Sequence, residues 1–472
     1  MAAVDYDLVI VGAGSGNMLV SDGLGDWRVA IVEGDRFGGT CLNRGCIPSK
    51  MFVYTADVAA AVQHADRYGI KAKFSGADWP AIRDRVFGRI DPLHDGAVKY
   101  RRENGIDVYT SSGAFTGPSE VSGGRPPSAS TAVLAVGDDE IRSTRFVLAA
   151  GSRPLIPDLP GLADVPYYTS DTIMRLKSLP KSMIVLGGGY IGAEMSHIFG
   201  SLGTKITIVN RSQQLLALHD LDIARRFTEV YQRRFDLRLG TTVRRVSVTR
   251  HGIKAELATP AGTASVDAEV LLVATGRVPN SDSLNVAAAG IAVDEHGHVK
   301  TDQSYATNVP GIWAFGDLAN HFQLKHMANA EARLVRHNLL HPEAPRLTPF
   351  TVVPSAVFAD PQVASVGSTE QALKASGRPF VCAIRPYSDT AYGWAMEDTT
   401  GFAKVLADPA TRQILGAHIM GPQASTLIQP LIQAMCLGNT VEQVASHVLY
   451  IHPALTEVVE QALLEVSRSD QS

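Results

Sequence analysis

Short, mainly apolar runs dominate the hydrophobic pattern of this chain, and two of them lead directly into glycine-rich turns. Two lie near the N-terminus, at residues 6–11 and 29–32, and two equivalent runs follow at residues 183–186 and 205–209. Continuous apolar runs of this length, bounded by turn residues, are typical of strands buried on both faces of a parallel sheet. The pattern therefore predicts an α/β fold with two Rossmann-like nucleotide-binding domains. Each domain is expected to have three layers, two of β-sheet and one of α-helix (ββα).

Two other stretches, at residues 146–154 and 270–279, are apolar strands that end in a glycine-bearing turn, and we interpret them as matching domain junctions. From Pro349 onward, strand-like runs alternate with two or three helices and the glycine fingerprint is absent, which favours a separate C-terminal α+β domain. The predicted boundaries are 1–150 and 276–346 for the first nucleotide-binding domain, 151–275 for the second, and 347–472 for the C-terminal domain.

The first apolar run leads into residues 12–17, Gly-Ala-Gly-Ser-Gly-Asn, a turn of the kind that cradles a pyrophosphate between strand and helix. Gly12 permits the tight turn, and Gly14 lets the backbone approach the phosphates. Asn17 stands where a third glycine is expected, so the packing of strand and helix is predicted to be looser there. The next strand ends at Glu33, whose carboxylate can accept hydrogen bonds from a ribose.

The same pattern returns at residues 187–192, Gly-Gly-Gly-Tyr-Ile-Gly, with all three glycines present. The strand that follows ends in Asn210 and Arg211 instead of an acid. A neutral residue followed by arginine suits the 2′-phosphate of NADPH, whereas an acid suits NADH. We therefore predict a second dinucleotide, NADPH, although an ordinary solvated surface arginine remains the alternative for Arg211.

Cys41 and Cys46 stand five positions apart, shortly after the first glycine turn. On a regular helix their Cα atoms would lie roughly 8 to 9 Å apart, while a disulfide needs about 4.4 to 6.8 Å. A disulfide between them therefore requires a distorted turn, for which Gly45 and Pro48 are candidates. The polar, glycine-flanked setting favours a redox-active disulfide, and two packed, reduced cysteines are the alternative.

Composition favours an ordinary enzyme with small-molecule partners. The net charge of −4 gives no basic field for nucleic acid or anionic lipid. An acidic N-terminus and the lack of a long apolar run predict no secretory signal and no membrane span, and hence a cytoplasmic protein. In that reducing compartment a disulfide is usually transient and catalytic.

These motifs resemble, in this order, those of the flavin-dependent pyridine nucleotide–disulfide oxidoreductases, the family of glutathione reductase and dihydrolipoamide dehydrogenase. The resemblance rests on both glycine turns, the cysteine pair, Ala-Thr-Gly-Arg at residues 274–277, Gly316-Asp317, and residues 450–457. It implies that the first nucleotide is FAD, with Asp317 on its ribityl chain and Glu33 on its adenosine ribose. It also implies a homodimer joined through the C-terminal domain.

The resemblance further implies roles for the catalytic residues. Cys46 is the thiol next to the flavin, and Cys41 is the outer thiol that attacks the substrate. His452, oriented by Glu457, is the base that manages the protons, and in this family it reaches the cysteines of the other subunit. A helix-capping or core role is the alternative for His452.

Lys50 and Glu194 resemble the family's ion pair beside the reactive flavin ring, and Tyr190 resembles the aromatic residue that covers the flavin until nicotinamide displaces it. A surface ion pair and a packed tyrosine are the alternatives. The residues assigned to FAD are Gly12, Gly14, Gly16, Glu33, Gly39, Thr40, Lys50, Ala150, Gly151, Gly316 and Asp317. Those assigned to NADPH are Gly187, Gly189, Tyr190, Ile191, Gly192, Glu194, Asn210, Arg211 and Gly276, and no metal ligand is assigned.

Within the family, the chain resembles the mycothione reductases most, in residues 50–58, 323–333 and 450–455. The C-terminal tail lacks the cysteines of large thioredoxin reductases and mercuric reductases, and soluble transhydrogenases lack the cysteine pair. We therefore expect a reductase of a low-molecular-weight disulfide, and this resemblance implies that the disulfide is mycothione, the disulfide of mycothiol. An NAD-linked dihydrolipoamide dehydrogenase and, from another class, an FAD-binding redox sensor without turnover remain as alternatives.

Overall fold

The computed structural model describes residues 4–20, 22–118, 132–250, 252–348 and 350–468. The strands are β1 (Val4–Tyr6), β2 (Leu8–Val11), β3 (Val29–Val32), β4 (Asp107–Tyr109), β5 (Gly113–Pro118), β6 (Ala132–Val136), β7 (Asp139–Ser143), β8 (Phe146–Leu148), β9 (Ser152–Pro154), β10 (Tyr167–Thr169), β11 (Ser182–Leu186), β12 (Lys205–Val209), β13 (Asp236–Arg238), β14 (Thr242–Thr249), β15 (Gly252–Thr259), β16 (Gly262–Ala268), β17 (Val270–Val273), β18 (Arg277–Pro279), β19 (Ile312–Ala314), β20 (Ser355–Val357), β21 (Val363–Gly367), β22 (Val381–Pro386), β23 (Phe402–Ala407) and β24 (Ile414–Met420).

The α-helices of the same ranges are α1 (Gly39–Asn43), α2 (Cys46–Gln63), α3 (Trp79–Ile90), α4 (Pro92–Glu103), α5 (Tyr190–Ser201), α6 (Leu221–Arg234), α7 (Lys325–Leu340), α8 (Glu370–Ser376), α9 (Ala391–Ala395), α10 (Ala424–Leu427), α11 (Gln429–Leu437), α12 (Val441–Ser446) and α13 (Glu457–Arg468).

The chain divides into two compact units, and the first comprises Met1–Ser49, Pro80–Leu155 and Gly276–Pro349. Its central sheet is parallel, with strand order β19-β8-β2-β3-β4. A mixed sheet, β1-β7-β6-β5, and the short antiparallel pair β18-β9 complete the unit. The central strand β2 thus lies between β8 and β3, as expected for a Rossmann-like sheet.

The second unit comprises Lys50–Trp79, Ile156–Thr275 and Phe350–Ser472. It contains a parallel sheet of order β10-β17-β11-β12-β13 and an antiparallel three-stranded sheet, β14-β15-β16. Its third sheet, β20-β21-β24-β23-β22, is antiparallel and carries helices α8 to α13 in the same C-terminal stretch. The predicted α/β fold with a C-terminal α+β domain is confirmed, while the predicted domain boundaries stay a prediction.

Burial on both faces explains why the nucleotide-binding strands are continuously apolar. Alternate residues of β2 point to opposite faces, so Leu8 and Ile10 pack into one hydrophobic cluster and Val9 and Val11 into another. All four side chains are buried. Each face therefore has its own core, which is the layered arrangement that the hydrophobic pattern predicts.

The segment after the first glycine turn departs from the prediction of a helix there. The chain forms a 3₁₀ turn at Gly16–Leu19 and a second one at Asp22–Leu24 in place of an α-helix. The connection to β3 is short and includes Gly23 and Gly25, which disfavour a regular helix. Among the helices of the described residues, none is both long and apolar enough to cross a membrane.

Candidate active site

The first glycine turn leaves no room for side chains. Gly12 has a φ of +104°, and a Cβ atom there would lie 2.2 Å from the carbonyl oxygen of Ala149. A Cβ atom on Gly39 would lie 2.7 Å from the Cα atom of Gly14. Bare backbone therefore lines the turn, which leaves its N–H groups accessible to a pyrophosphate.

Gly16 takes over the packing role that the expected third glycine would have. A Cβ atom on Gly16 would approach a methyl group of Ile10 to 3.0 Å and the Cβ atom of Ala149 to 3.1 Å. Asn17 instead accepts a hydrogen bond at Oδ1 from Nε of Arg101, at 2.9 Å. The close contact at this turn is thus made by Gly16, and the looser packing predicted at Asn17 stays a prediction.

Glu33 lies at the end of β3, as predicted, and its carboxylate contacts the glycine turn. Oε2 accepts a hydrogen bond from the backbone N–H of Ala13 at 2.8 Å, and Oε1 accepts one from that of Asp35 at 3.1 Å. Burial raises the pKa of Glu33, while the bond from Ala13 opposes this. Each carboxylate oxygen retains accepting capacity, so the geometry fits a ribose hydroxyl.

A cavity of about 460 Å³ opens beside α4 and Thr110, which follows β4. His94 lines it, and its Nδ1 atom accepts a hydrogen bond from the backbone N–H of Phe37 at 2.7 Å. The charge of His94 also acts on the carboxylate of Glu33. His94 thus links this cavity to Glu33, near the end of β4. His94 carries no sequence motif that would have identified it.

Asp317 is held by a chain of polar side chains that sequence analysis missed. Its Oδ2 atom accepts a hydrogen bond from Ser152 Oγ at 2.6 Å, and that hydroxyl accepts one from Arg277 Nε at 2.8 Å. The buried Glu331 on α7 accepts from the backbone N–H of Gly316 at 2.7 Å. Burial raises the pKa of Glu331. These contacts orient the predicted ribityl acceptor, and together with the glycine turn they fit a bound FAD.

The two cysteines flank a break between two helices, as their spacing requires. Helix α1 ends at Asn43, α2 begins at Cys46, and Arg44 between them has a non-helical φ of −152°. A Cβ atom on Gly45 would lie 3.0 Å from the carbonyl oxygen of Thr40, so a larger residue there would be tightly packed against the end of the preceding turn. Pro48 lies inside α2 and is not part of the break.

Both cysteines are free thiols in this structure, and Cys46 is exposed while Cys41 is half-buried. A hydrogen bond between the two side chains, together with burial, raises the pKa of Cys41. Asn43 fixes the preceding loop, with Nδ2 at 3.0 Å from the carbonyl oxygen of Gly39 and at 3.1 Å from that of Phe37. Exposure of the side chains does not distinguish an inner from an outer thiol, so that assignment stays a prediction.

The ion pair expected between Lys50 and Glu194 is present. Lys50 Nζ lies 2.6 Å from Glu194 Oε2, and the ammonium group lies 4.4 Å from the ring centre of Phe358. Glu194 is buried, and its other carboxylate oxygen accepts a hydrogen bond from the backbone N–H of Phe358 at 3.0 Å. The pair is therefore partly enclosed, unlike an ordinary surface ion pair. Its role beside a flavin stays a prediction.

The second glycine turn has the tight geometry predicted for it. Gly187 has a φ of +111°, and a Cβ atom there would lie 2.3 Å from the carbonyl oxygen of Ala274. A Cβ atom on Gly192 would meet the carbonyl oxygen of Gly187 at 2.2 Å, whereas Gly189 faces open space. Helix α5 starts directly after Gly189 and runs for 12 residues, so it offers a full helix N-terminus to a phosphate.

Three further residues were assigned to the nicotinamide nucleotide, namely Tyr190, Ile191 and Gly276. Tyr190 is the first residue of α5 and is 42% exposed, which is compatible with a movable cover, and Ile191 follows it in the half-buried class. Gly276 has a φ of +133° and accepts a hydrogen bond at its carbonyl from the N–H of Leu155 at 2.9 Å. Their assignment to the nicotinamide nucleotide stays a prediction.

Asn210 makes hydrogen bonds within the second turn, whereas the neighbouring Arg211 is exposed. Asn210 Oδ1 accepts from the backbone N–H of Gly188 at 3.2 Å, and its amide donates to the carbonyls of Ser212 and Gln214 at 3.2 and 2.9 Å. Both amide hydrogens are thus used within the protein. Arg211 is exposed and, in the part of the chain that the structure describes, has neither a hydrogen bond nor an ion pair. Its guanidinium group is available for a phosphate.

His452 and Glu457 form the expected pair. His452 Nδ1 lies 2.8 Å from Glu457 Oε1, and Glu457 Oε2 accepts from the backbone N–H of Ala454 at 3.3 Å. The imidazole is 72% exposed, whereas Glu457, the first residue of α13, is 15% exposed. The carboxylate thus favours a proton on Nδ1 and leaves Nε2 facing outward, as a base requires.

Two family models together cover nearly all of the chain. Residues 6–332 match the model described as pyridine nucleotide-disulphide oxidoreductase. Residues 353–463 match the dimerisation domain of pyridine nucleotide-disulphide oxidoreductases. The second match coincides with the antiparallel C-terminal sheet and its helices.

Individual relatives are similar over their full lengths. Mycothione reductase of Mycobacterium tuberculosis is 44% identical over 464 residues, which cover 97% of this chain and 99% of the relative. Dihydrolipoyl dehydrogenase of Chlamydia muridarum is 32% identical over 468 residues, covering 98% and 97%. The solved structure of the HOCl-induced flavoprotein disulfide reductase RclA from Escherichia coli has a TM-score of 0.83 at 28% identity and covers 98% of this chain and 100% of that one. This chain belongs to the pyridine nucleotide-disulphide oxidoreductase family.

Proposed function

We propose that this chain is an NADPH-dependent reductase of a low-molecular-weight disulfide, with mycothione, the disulfide of mycothiol, as its substrate. The observation that carries the reaction type is the pair of thiols at Cys41 and Cys46, hydrogen-bonded across a helix break beside the first glycine turn. The substrate is supported by 44% identity to a mycothione reductase over 97% of the chain.

FAD bound at the first turn would supply the two-electron chemistry that links the nicotinamide to the disulfide. The chain's own residues prepare that site. The glycine turn offers backbone N–H groups, Glu33 accepts from a ribose, and Asp317 is oriented toward the ribityl chain by Ser152. Lys50, held by Glu194, keeps a positive charge one turn after Cys46 on helix α2.

The disulfide exchange needs proton transfers that the chain can supply. Two electrons and one proton open the Cys41–Cys46 bond and leave one thiolate and one thiol. The Cys41 thiolate then bonds to one substrate sulfur while the substrate S–S bond breaks, and the departing thiolate takes a proton from His452 of the partner subunit. Cys46 then loses its proton to the imidazole and attacks Cys41, which restores the disulfide. The second substrate thiolate departs with that proton, and solvent returns a proton to His452. Glu457 holds the imidazole in the required tautomer.

The preference for NADPH is supported by Arg211, an exposed cation directly after Asn210 at the end of β12. A guanidinium group binds a 2′-phosphate through charge-assisted hydrogen bonds. The neutral amide of Asn210 avoids the repulsion that a carboxylate would exert on that phosphate. A homodimer is supported by the match to the family's dimerisation domain. A cytoplasmic location is supported by the requirement of a transient disulfide for a reducing compartment.

A second candidate is an NAD-linked dihydrolipoyl dehydrogenase, which is favoured by full-length relatives of that name at 32% identity. A redox sensor without turnover is a candidate from another class, and the oriented base pair of His452 and Glu457 argues against it. A sensor has no need of a proton shuttle, whereas repeated disulfide exchange does.

Steady-state kinetics on the purified FAD-containing protein tests the proposal. We expect kcat/KM with mycothione to exceed that with glutathione disulfide or lipoamide by orders of magnitude, and NADPH to be preferred over NADH. Comparable rates on all three disulfides would remove the mycothione assignment. A preference for NADH together with lipoamide turnover would establish the dehydrogenase instead, and flavin reduction without turnover of any disulfide would favour the sensor.

A further inference from the structure

Helices α2 and α5 are joined by polar contacts at separate points along their length. The ion pair between Lys50 and Glu194 is the first of these contacts. His197, three residues further along α5, has its Nε2 atom 2.8 Å from Asp57 Oδ1, and Asp57 lies seven residues after Lys50 on α2. Seven residues span two helical turns, or about 10 Å, and return to the same face of the helix. The histidine therefore contacts α2 on the face that carries Lys50, at a distance from the ion pair.

The surroundings of His197 fix the role of each ring nitrogen. The side chain is fully buried, and its Nδ1 atom lies 3.2 Å from Nη2 of Arg234 and 3.2 Å from Oγ of Ser201. Because a guanidinium group can only donate, Nδ1 accepts, and the ring proton lies on Nε2, from which it is donated to Asp57. His197 thus uses both nitrogens and joins α5 to α2 on one side and to α6 on the other.

Arg234 connects this histidine back to the ion pair. It also donates to the backbone carbonyl of Asp360 and, at 3.3 Å, to the carboxylate of the same residue. Two residues earlier in the chain, the backbone N–H of Phe358 donates to Glu194 at 3.0 Å. The contacts of the histidine and those of the ion pair therefore share α2, α5 and the segment 358–360, and they form one connected network.

Aromatic packing lies between the same two helices. The indole of Trp79 stacks on Phe52 of α2, with ring centres 5.1 Å apart, and packs against Phe199 of α5 at 5.0 Å. All three side chains are fully buried. Because such packing is non-directional, it holds the helices together, whereas the directional polar contacts decide how one helix lies along the other.

We propose that His197 is a positioning residue, which holds α2 in register with α5 and thereby keeps the Lys50 ammonium group beside Glu194. The inference rests on the proposed function, in which Lys50 supplies a positive charge at the FAD site. A helix that is anchored at one point can still pivot about it, whereas a second anchor about 10 Å away also fixes its direction. In this role His197 touches neither substrate nor cofactor and acts only through the ion pair.

Lysine labelling of the purified holoenzyme with acetic anhydride tests this inference without any turnover. The modification rate of Lys50 is measured by peptide mass spectrometry relative to that of Lys205, an exposed lysine on β12. The ring of phenylalanine in His197→Phe can make neither hydrogen bond. We therefore expect Lys50 to be modified about three- to tenfold faster in this variant, because the ion pair protects its amine. His197→Gln, whose amide can donate from a similar position, should restore most of the wild-type protection.

Stopped-flow reduction of the FAD by NADPH provides a readout that a general loss of stability would not give. His197→Phe should slow this reduction by about threefold or more. In a Lys50→Met background the same substitution should have little further effect, since both changes act on one ammonium group. Additive effects of the two substitutions would overturn the inference, as would unchanged labelling of Lys50 in His197→Phe.

If His197→Phe does not fold or does not retain FAD, Asp57→Ala provides the same test from the other helix. The Asp57 side chain is 42% exposed, so water can occupy the place of its carboxylate. Glu229→Ala is the matched control, because it removes a 44% exposed carboxylate from an ion pair on α6. Asp57→Ala should raise the labelling of Lys50 and Glu229→Ala should not, and equal labelling in the two variants would contradict the inference.

Failure of the proposed function appears separately from failure of this inference. It would be seen as absent disulfide turnover in a wild-type protein whose Lys50 labelling still responds to substitution of His197 or Asp57. Conversely, normal turnover in the wild type together with unresponsive Lys50 labelling would remove the positioning role and leave the proposed function in place.

Discussion

The two glycine turns of this protein have the same tight geometry but differ in what surrounds them. The first glycine of each has a positive φ and faces a carbonyl oxygen of a neighbouring strand end, Ala149 for Gly12 and Ala274 for Gly187. A four-residue 3₁₀ turn follows the first, whereas a 12-residue α-helix follows the second. The two sites therefore share the geometry of the backbone turn and differ in the helix that follows it.

The acceptor at the end of the next strand shows a second difference. Glu33 accepts from the N–H of Ala13, and Asn210 accepts from the N–H of Gly188, at the equivalent place in each turn. Both side chains satisfy the same backbone donor, one with a carboxylate and the other with an amide. The turn can therefore keep its geometry whether the acceptor is charged or neutral. The charge at this position is then free to suit the nucleotide that each turn is proposed to bind.

The largest effect is expected when the shared geometry itself is broken. In Gly12→Ala and Gly187→Ala the added methyl group would lie 2.2 or 2.3 Å from a carbonyl oxygen at a strained φ. We expect each to lower the free energy of unfolding by about 3 kcal/mol or more. Gly12→Ala should lose FAD, whereas Gly187→Ala should keep FAD and lose reduction by NADPH. Urea unfolding and stopped-flow absorbance measure these outcomes.

Gly96→Ala is the matched control for this pair, because Gly96 lies within α4 and faces open space. It should leave cofactor content and reduction unchanged and stabilise the helix slightly. If Gly187→Ala bound and oxidised NADPH normally, the assignment of NADPH to the second turn would be contradicted.

A smaller effect is expected when the charge of the second turn is changed. Arg211→Met removes the exposed cation and leaves the hydrogen bonds of Asn210 in place, so the fold should be unaffected. We expect the KM for NADPH to rise about 10- to 100-fold, because charge-assisted hydrogen bonds contribute about 1.5 to 3 kcal/mol, while the KM for NADH changes little. Arg244→Met, an exposed arginine on β14, serves as control. Equal changes in KM for NADPH and NADH would show that Arg211 does not bind the 2′-phosphate.

The smallest effect is expected when the first turn is given a neutral acceptor like that of the second. Glu33→Gln keeps an oxygen for the N–H of Ala13 and removes a charge, so FAD affinity should fall only about 3- to 10-fold, corresponding to roughly 1 kcal/mol. Fluorescence titration of the apoprotein with FAD measures this. Glu140→Gln, at an exposed position on β7, should not change the affinity.

The same variant tests the pKa of Glu33. Burial raises this pKa in the folded protein, so the folded state holds the proton more tightly than the unfolded state does. The resulting stabilisation is present below the ordinary pKa of glutamate and is lost as pH rises through the raised value. The free energy of unfolding of the wild type, relative to Glu33→Gln, should therefore decrease as pH increases over that window.

Local sequence was sufficient to predict the elements whose causes are local. Continuous apolar runs predicted the parallel strands, the glycines predicted both turns, and the spacing of Cys41 and Cys46 predicted a distorted turn, which lies between two helices. The positions of Glu33 and Asn210 at the strand ends also followed from their distance to each turn, but their hydrogen bonds to the turn did not. In all these cases the deciding residues lie within about one βα unit of each other.

Features that depend on distant residues were not predictable in this way. Arg101 reaches Asn17 across 84 positions, Ser152 and Asp317 meet across 165, and Lys325 meets Ser15 across 310. Such contacts leave no periodicity or spacing in the sequence, because they arise only when the parallel sheet brings strand ends together. The 3₁₀ turn after Gly14 was missed for a different reason, since a short connection overrode a helix-compatible pattern.

The separation of turn geometry from charge at Asn210 has a consequence for how such enzymes diversify. Because the amide already satisfies the backbone donor of Gly188, the coenzyme preference that we propose for Arg211 can change by substitution at that exposed position without a compensating change in the fold. A single amino-acid substitution is then enough to change the preference between NADPH and NADH. Selection can act on that change without a prior loss of stability.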